Sequence, residues 1–257
     1  MEGGAWKTVI VDDRGDAGIM TSIAVDRQDQ PHLAYYKGDK GVIKYAALMP
    51  EGWEVGIVES AIRLDTYPKE SRISMAIDAA GNPHICYFDD ETGWFTYRTR
   101  TGDVWVYSTI DKGSDRGAAA IAFGPAGAMH VLMADGSGAL RHAVNGSDGW
   151  TIETVVEQHA SPGAIAIDRA GAVHIAAFDT RADQLMHIVG AGGAWTSTTV
   201  DLLSPCDYDC SNVGLALDLS GGVHLSYCET TFKGTGSGCT LKYATNSGGA
   251  LAVTMVD

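Results

Sequence analysis

One short pattern returns five times along this chain: Ser22-Ile-Ala-Val-Asp26, Ser74-Met-Ala-Ile-Asp78, Ala120-Ile-Ala-Phe-Gly124, Ala164-Ile-Ala-Ile-Asp168 and Gly214-Leu-Ala-Leu-Asp218. Each copy leads across a short turn into a segment built around a histidine, His32, His84, His130, His174 or His224. Two more segments complete the unit. The third reads Val42-Ile-Lys-Tyr-Ala46, Trp94-Phe-Thr-Tyr-Arg98, Ala139-Leu-Arg-His-Ala143, Gln184-Leu-Met-His-Ile188 and Thr240-Leu-Lys-Tyr-Ala244. The fourth runs from a tryptophan to a Val/Ile–acid pair, as in Trp53 to Glu59, Trp105 to Asp111 and Trp195 to Asp201, with Trp150 to Glu157 one residue longer. The period, roughly 44–52 residues, is that of a four-stranded propeller blade.

All four segments are short, rich in β-branched and aromatic residues, and bounded by Gly, Asp and Asn. No amphipathic helix fits between them. The expected fold is therefore all-β, a five-bladed β-propeller with four antiparallel strands per blade. It forms one domain over residues 1–257, with blades near 22–59, 74–111, 120–157, 164–201 and 214–247. Ala24, Ala76, Ala122, Ala166 and Ala216 make the first segment small enough for a crowded inner strand. The tryptophan segment alternates with polar residues, as an outer strand with one wet face does.

Six segments match that outer strand, where five blades need five. Trp6 to Asp12 begins the chain and Leu251 to Asp257 ends it. Propellers leave no free edge when a strand from one terminus joins a blade from the other. On that ground residues 5–12 are expected to complete the fifth blade. Residues 248–257 are then redundant, and their deletion should leave the melting temperature nearly unchanged.

The consensus, Ser-hydrophobic-Ala-hydrophobic-Asp-x-x-Gly-x-Pro-His-hydrophobic-x-Tyr-Tyr-Asp followed by Leu-Lys-Tyr-Ala, resembles repeats of secreted or surface bacterial proteins grouped with sialidase-like propellers. The resemblance implies a propeller and carries no activity with it. The sialidase Asp-box, Ser-x-Asp-x-Gly-x-x-Trp, is absent, as is an evident arginine triad for a sialic-acid carboxylate, so that activity is not transferred. Fold alone does not license function.

Bulk properties narrow the partners. The net charge of −14 and the pI near 4.8 oppose binding to phosphate backbones and anionic membranes. Nucleic acid and membrane insertion are therefore not expected. The most apolar stretch, Ala118 to Ala134, is broken by Gly124, Pro125 and Gly127. The opening Met1-Glu2-Gly3-Gly4 lacks the regions of a leader. The expectation is a monomer at the cell surface or secreted, its leader absent from this sequence.

The five histidines form a ring about the axis and invite a metal reading. Geometry opposes it, since second strands lie roughly 13 Å from a five-fold axis, about twice the reach of an imidazole. A structural reading fits better. Four histidines face the aspartate that ends the preceding segment: Asp26–His32, Asp78–His84, Asp168–His174 and Asp218–His224. Gly124 replaces the aspartate in the third copy and leaves His130 free for other work. His142 and His187 stand where other copies have tyrosine and read as ordinary blade residues.

At the opposite end of the second strand stand Asp89, Asp135, Asp179 and Glu229, with Lys37 in the first copy. They share a face with the variable loops that link the blades, where binding usually sits. Capping of turns by a solvated rim competes with a ligand site. Candidate ligand contacts are Lys37, Tyr67, Arg72, Arg116 and Tyr208, the loop from Glu59 to Ile73 being the preferred one. Candidate catalytic groups are Asp89, Asp135, Asp179, Glu229 and His159. The same carboxylates with His130 are weak candidates for calcium or a transition metal.

Cys206, Cys210, Cys228 and Cys239 cluster around the fifth copy. Two local disulfides, 206–210 and 228–239, are expected over a zinc site, whose paired C-x-x-C spacing is missing. Mid-strand Cys86 reads as a small apolar residue. The preferred function is a module that binds carbohydrate or a similar polar ligand on the loop-rich face. A hydrolase working through the rim and a protein-interaction scaffold are the alternatives.

Overall fold

The computed structural model describes residues 6–62, 64, 73–113, 118–134, 137–204, 213–233 and 236–256. They form five four-stranded antiparallel sheets arranged as the blades of a β-propeller. Blade 1 holds β1 (Ala17–Val25), β2 (Pro31–Lys37), β3 (Val42–Met49) and β4 (Gly52–Ser60). Blade 2 holds β5 (Ser74–Ile77), β6 (Pro83–Asp89), β7 (Trp94–Thr101) and β8 (Val104–Lys112). In blade 3 follow β9 (Ala118–Phe123), β10 (Met129–Ala134), β11 (Leu140–Gly146) and β12 (Gly149–Val156). Blade 4 takes β13 (Ala160–Ile167), β14 (Val173–Asp179), β15 (Gln184–Ala191) and β16 (Ala194–Leu202). Blade 5 is β17 (Val213–Leu217), β18 (Val223–Lys233), β19 (Gly236–Thr245) and β20 (Ala252–Met255). Every hydrogen-bonded pair joins strands adjacent in sequence.

The turn from first to second strand is built by its own residues. Asp26 Oδ1 accepts the backbone N–H groups of Gln28 and Gln30, both at 2.8 Å, while the Asp26 N–H donates to the Gln30 carbonyl. Asp78, Asp168 and Asp218 repeat the arrangement. Each turn needs one residue at positive φ; Gly81, Gly127, Gly171 and Gly221 supply it, and Asp29 does so in blade 1. Blade 3 keeps the backbone frame without the carboxylate, the Gly124 N–H donating to the Ala128 carbonyl at 2.8 Å.

Four outer strands close on a β-bulge, at the Val/Ile–acid pair in blades 1, 2 and 4 and one residue before it, at Val155, in blade 3. In blade 1, Ile43 faces Glu59 while Lys44 faces Ile57, leaving Val58 as the extra residue. Ile110, Val155 and Val200 are the extra residues in the next three blades. Consecutive side chains of a regular strand point to opposite faces; the bulge turns the aliphatic one into the core and re-aims the acid.

Four apolar clusters hold the blades together, one at each junction from blades 1/2 to blades 4/5. Each combines the apolar third-strand residue and the bulge residue of one blade with the apolar inner-strand residue of the next. At the junction of blades 2 and 3, for example, Phe95 and Ile110 meet Ile121. Burial of this kind drives the assembly, at ~25 cal/mol per Å² of apolar surface removed from water.

The expected closure by the N-terminal strand is not what forms. The outer strand of blade 5 is β20, paired from Lys242↔Met255 to Thr245↔Ala252. Residues 6–13 belong to no strand. Only a short turn separates β20 from β19, so its pairing closes a small loop, whereas the N-terminal segment would have to close one spanning the chain. Ala252–Met255, within the segment expected to be redundant, thus supply the outer strand of blade 5.

Candidate functional site

The histidine positions lie beside the first-to-second-strand turns. His32 Nε2 is 3.3 Å from Asp26 Oδ2, and His224 Nε2 is 3.2 Å from Asp218 Oδ2. His84 lies 3.3 Å from Asp78, off the hydrogen-bond line, and His174 lies 3.6 Å from Asp168. The residue directly across the ladder from each histidine is the repeated alanine, as in Ala24↔His32; the aspartate reaches back from the turn. The other ring nitrogen meets the third strand. Tyr45, Tyr97 and Tyr243 each place the phenol oxygen 2.5 Å from the Nδ1 of His32, His84 and His224. A carboxylate only accepts, so in the first and last of these Nε2 carries the proton and Nδ1 accepts from the tyrosine.

Blade 3 runs the proton the other way. Glu153 accepts from His142 Nδ1 at 2.9 Å, which leaves His142 Nε2 bare in the neutral ring to accept from His130 Nδ1, also at 2.9 Å. His130 is therefore not free, contrary to the expectation from Gly124. Its Nε2 is the unprotonated nitrogen and lies 3.3 Å from where a side chain on residue 124 would begin. In blade 4, His174 Nδ1 lies 3.0 Å from His187 Nε2. Burial, reinforced by the neighbouring imidazole, lowers His130 and His187 to about 4.

At the loop-rich face the carboxylates are engaged locally. Asp89 accepts from the Glu91 N–H at 3.1 Å and the Thr92 hydroxyl at 2.8 Å. Asp179 accepts the N–H groups of Arg181 and Ala182, both at 2.9 Å. Glu229 is held by the Ser204 N–H and hydroxyl at 3.0 Å and by Lys242 at 2.7 Å. Lys37 is buried and donates to the Arg14 carbonyl, with Asp39 at 3.3 Å. His159 is exposed, adopts positive φ, and accepts the Thr180 N–H on its carbonyl at 2.8 Å. Asp135, Tyr67, Arg72, Arg116 and Tyr208, and most of the loop from Glu59 to Ile73, lie outside the described residues. Among those described, no three His, Cys, Asp or Glu side chains converge to hold a metal ion. Asp89, Asp179, Glu229 and His130 are thus not brought together.

Sequence reading missed a second set of charges, which ties blade to blade. In blades 1, 2 and 4 the acid at the bulge meets a third-strand cation of the following blade: Glu59 pairs with Arg98, Asp111 with Arg141 at 2.5 Å, and Asp201 with Lys242 at 2.7 Å. Asp201 also accepts from the Tyr227 hydroxyl at 2.6 Å. Asp12 makes the same pair of contacts on blade 1, with Lys44 and, at 2.9 Å, with the Tyr35 hydroxyl. The Lys44 hydrogen bond holds Asp12 down at about 2. The signal was present as Lys or Arg beside the third-strand Tyr or His, paired with the outer-strand acid of the preceding copy.

On the turn face, blades 1 to 3 enclose a cleft of about 530 Å³ floored by Val25, Ile77 and Phe123 and flanked by Asp26, Arg27 and Asp78. Both aspartates are already committed to their turns. Cys228 takes part in a disulfide. Cys86 is fully buried and reduced, and burial pushes its thiol pKa up. The described residues contain no helix long and apolar enough to cross a membrane.

The fold is that of a β-propeller, and solved structures, two lectins among them, share it. AofleA from Arthrobotrys oligospora aligns over 98% of this chain and 77% of its own, at TM-score 0.68 and 14% identity. The six-bladed Aleuria aurantia lectin, described with a fucose recognition mode, aligns over 94% of this chain and 79% of its own, at 0.62 and 14%. SapL1 lectin in complex with α-methyl fucoside aligns over 93% and 97%, at 0.63 and 12%. No protein-family model and no curated protein matches the sequence.

Proposed function

We propose that this protein is a carbohydrate-binding propeller module whose ligand contacts lie on the loop-rich face. The observation that carries the reading is the likeness of nearly the whole chain to two lectins, one described with a fucose recognition mode and one in complex with a fucoside. The rim supports binding over hydrolysis. Acid–base cleavage of a glycoside needs two carboxyl groups aimed at one bond, whereas Asp89, Asp179 and Glu229 each serve their own turn or junction. Tyr67, Arg72, Arg116 and Tyr208 are the proposed contacts, the aromatic rings stacking on the apolar face of a sugar. Lys37 is not retained, because its ammonium is already engaged. Secretion and the 206–210 and 228–239 disulfides belong to the same reading.

The test is a glycan array followed by titration calorimetry with α-methyl fucoside. Binding that Tyr67→Ala or Tyr208→Ala weakens at least tenfold, with an unchanged melting temperature, is the expected result. Silence across the array would overturn the reading. Binding to other sugars but not to the fucoside would keep the module and remove the fucose ligand.

A further inference from the structure

The junction between blades 5 and 1 is unlike the other four. Ile43, Phe95, Leu140 and Leu185 hold one repeat position and belong to successive clusters, exposed by 0, 2, 0 and 0%. Leu241 holds that position in blade 5, is 44% exposed, and belongs to none of them. The inner-strand residues Met75, Ile121 and Ile165 are 5, 7 and 9% exposed, while Ile23 of blade 1 is 64% exposed. Ala34, Cys86, Leu132 and Ala176 are fully buried at a position where blade 5 has an exposed serine, Ser226. Inner strands β1, β5, β9, β13 and β17 pack in succession, and no buried cluster of described residues joins β17 back to β1.

Two further patterns run past this seam. The outer-strand tryptophan of each following blade sits edge-on to a third-strand ring: Trp105 on Tyr45, Trp150 on Tyr97 and Trp195 on His142, at 5.4, 5.8 and 5.4 Å. Leu251 takes that place in blade 5, packed in the last cluster. The next ring in the series is Tyr243, and among the described residues two outer-strand tryptophans stand outside the series, Trp53 of blade 1 and Trp6, the latter 92% exposed. Likewise, Glu59, Asp111 and Asp201 at the ends of the outer strands of blades 1, 2 and 4 each bind the blade that follows, and Asp12 already binds blade 1. Both ends of Trp6–Asp12 therefore correspond to an outer strand standing after blade 5 and before blade 1. The six-bladed lectin has room for such a blade, about a fifth of its chain being unmatched.

We infer that the seam is a docking site for a three-stranded unit of this same repeat, which Trp6–Asp12 completes as the outer strand of a sixth blade. The unit presents an inner-strand aliphatic to Leu241 and brings third-strand and bulge-facing apolar groups to Ile23. It thereby continues the four junctions already formed.

The test compares the 257-residue protein with two forms carrying one added unit after Asp257, a copy of residues 157–192 or of residues 112–147. Neither copy contains cysteine. At least one extended form should melt about 4 °C or more above the parent, with Trp6 shielded from iodide quenching. Trp6→Ala should be neutral in the parent and should lower the melting temperature of the extended form. Two results overturn the inference: neither extension raises the melting temperature or shields Trp6, or Trp6→Ala already destabilises the parent.

Discussion

Blades 4 and 5 carry matching residues at matching positions and put them in different surroundings. Leu185 is sealed under blade 5, and Leu241 looks onto the seam. Val200 is buried at the bulge of β16, and Val256 is exposed just past the end of β20. The ring contact differs as well: His174 meets a second imidazole, His187, where His224 meets the phenol of Tyr243. A repeat thus specifies what a blade offers to its neighbours. Whether the offer stabilises anything depends on what stands next to it.

The largest expected effect tests that difference directly. Leu185→Ala should cost about 2–5 kcal/mol in chemical denaturation, the usual range for emptying a packed core site. Leu241→Ala should cost under about 1 kcal/mol. Equal losses would mean that the seam is packed after all.

A smaller contrast lies in pH. His187, like His130, has its pKa lowered from 6.5 to about 4, so the unfolded chain binds more protons between those values. Stability is then full above about pH 6.5 and falls as the pH drops toward 4. His187→Tyr gives blade 4 the partner found in blade 5 and should flatten part of that slope in pH-dependent thermal melts. An unchanged slope would assign the acid sensitivity elsewhere. Asp218 is held at about 2, first by the Gly222 N–H and then by His224, so its turn loses stability only as the pH falls from 3.8 toward 2.

The smallest contrast concerns the turns themselves. Asp218 accepts from Ser220, Gly222, His224 and the Ser247 hydroxyl, whereas Asp168 accepts from Ala170 and Ala172 with His174 farther off. Asp218→Ala should lower the melting temperature more than Asp168→Ala. The reverse order would show that the histidine contact adds nothing to the turn.

What was legible in the sequence follows the same logic. Strands and turns could be read because their causes are local: alternation, a positive-φ glycine, and an aspartate within reach of N–H groups two and four residues ahead. The bulge was harder. Val58-Glu59 looks like any strand end until the register opposite Ile43 and Lys44 shows one residue too many. Closure was misread because Trp6–Asp12 and Leu251–Asp257 carry one pattern, and only the short turn before β20 separates them. The rim carboxylates looked available for chemistry, since nothing about Asp89 or Asp179 in isolation shows that their own turns occupy them. His142 and His187 seemed incidental. Their alternation with Tyr45, Tyr97 and Tyr243 was the sign that the third strand supplies the second partner of every central histidine.

One topological fact bears on how the molecule comes apart. Because every strand pairs only with its sequence neighbours, β20 included, no hydrogen-bonded ladder among the described residues ties the beginning of the chain to its end. Under tension applied at the termini, each blade can be peeled away without first breaking contacts made by distant ones, as in other arrays governed by nearest-neighbour coupling. A force–extension trace should then show a staircase of separate ruptures rather than a single event. Cross-linking the two ends through a blade set into the seam would replace that staircase with one cooperative failure.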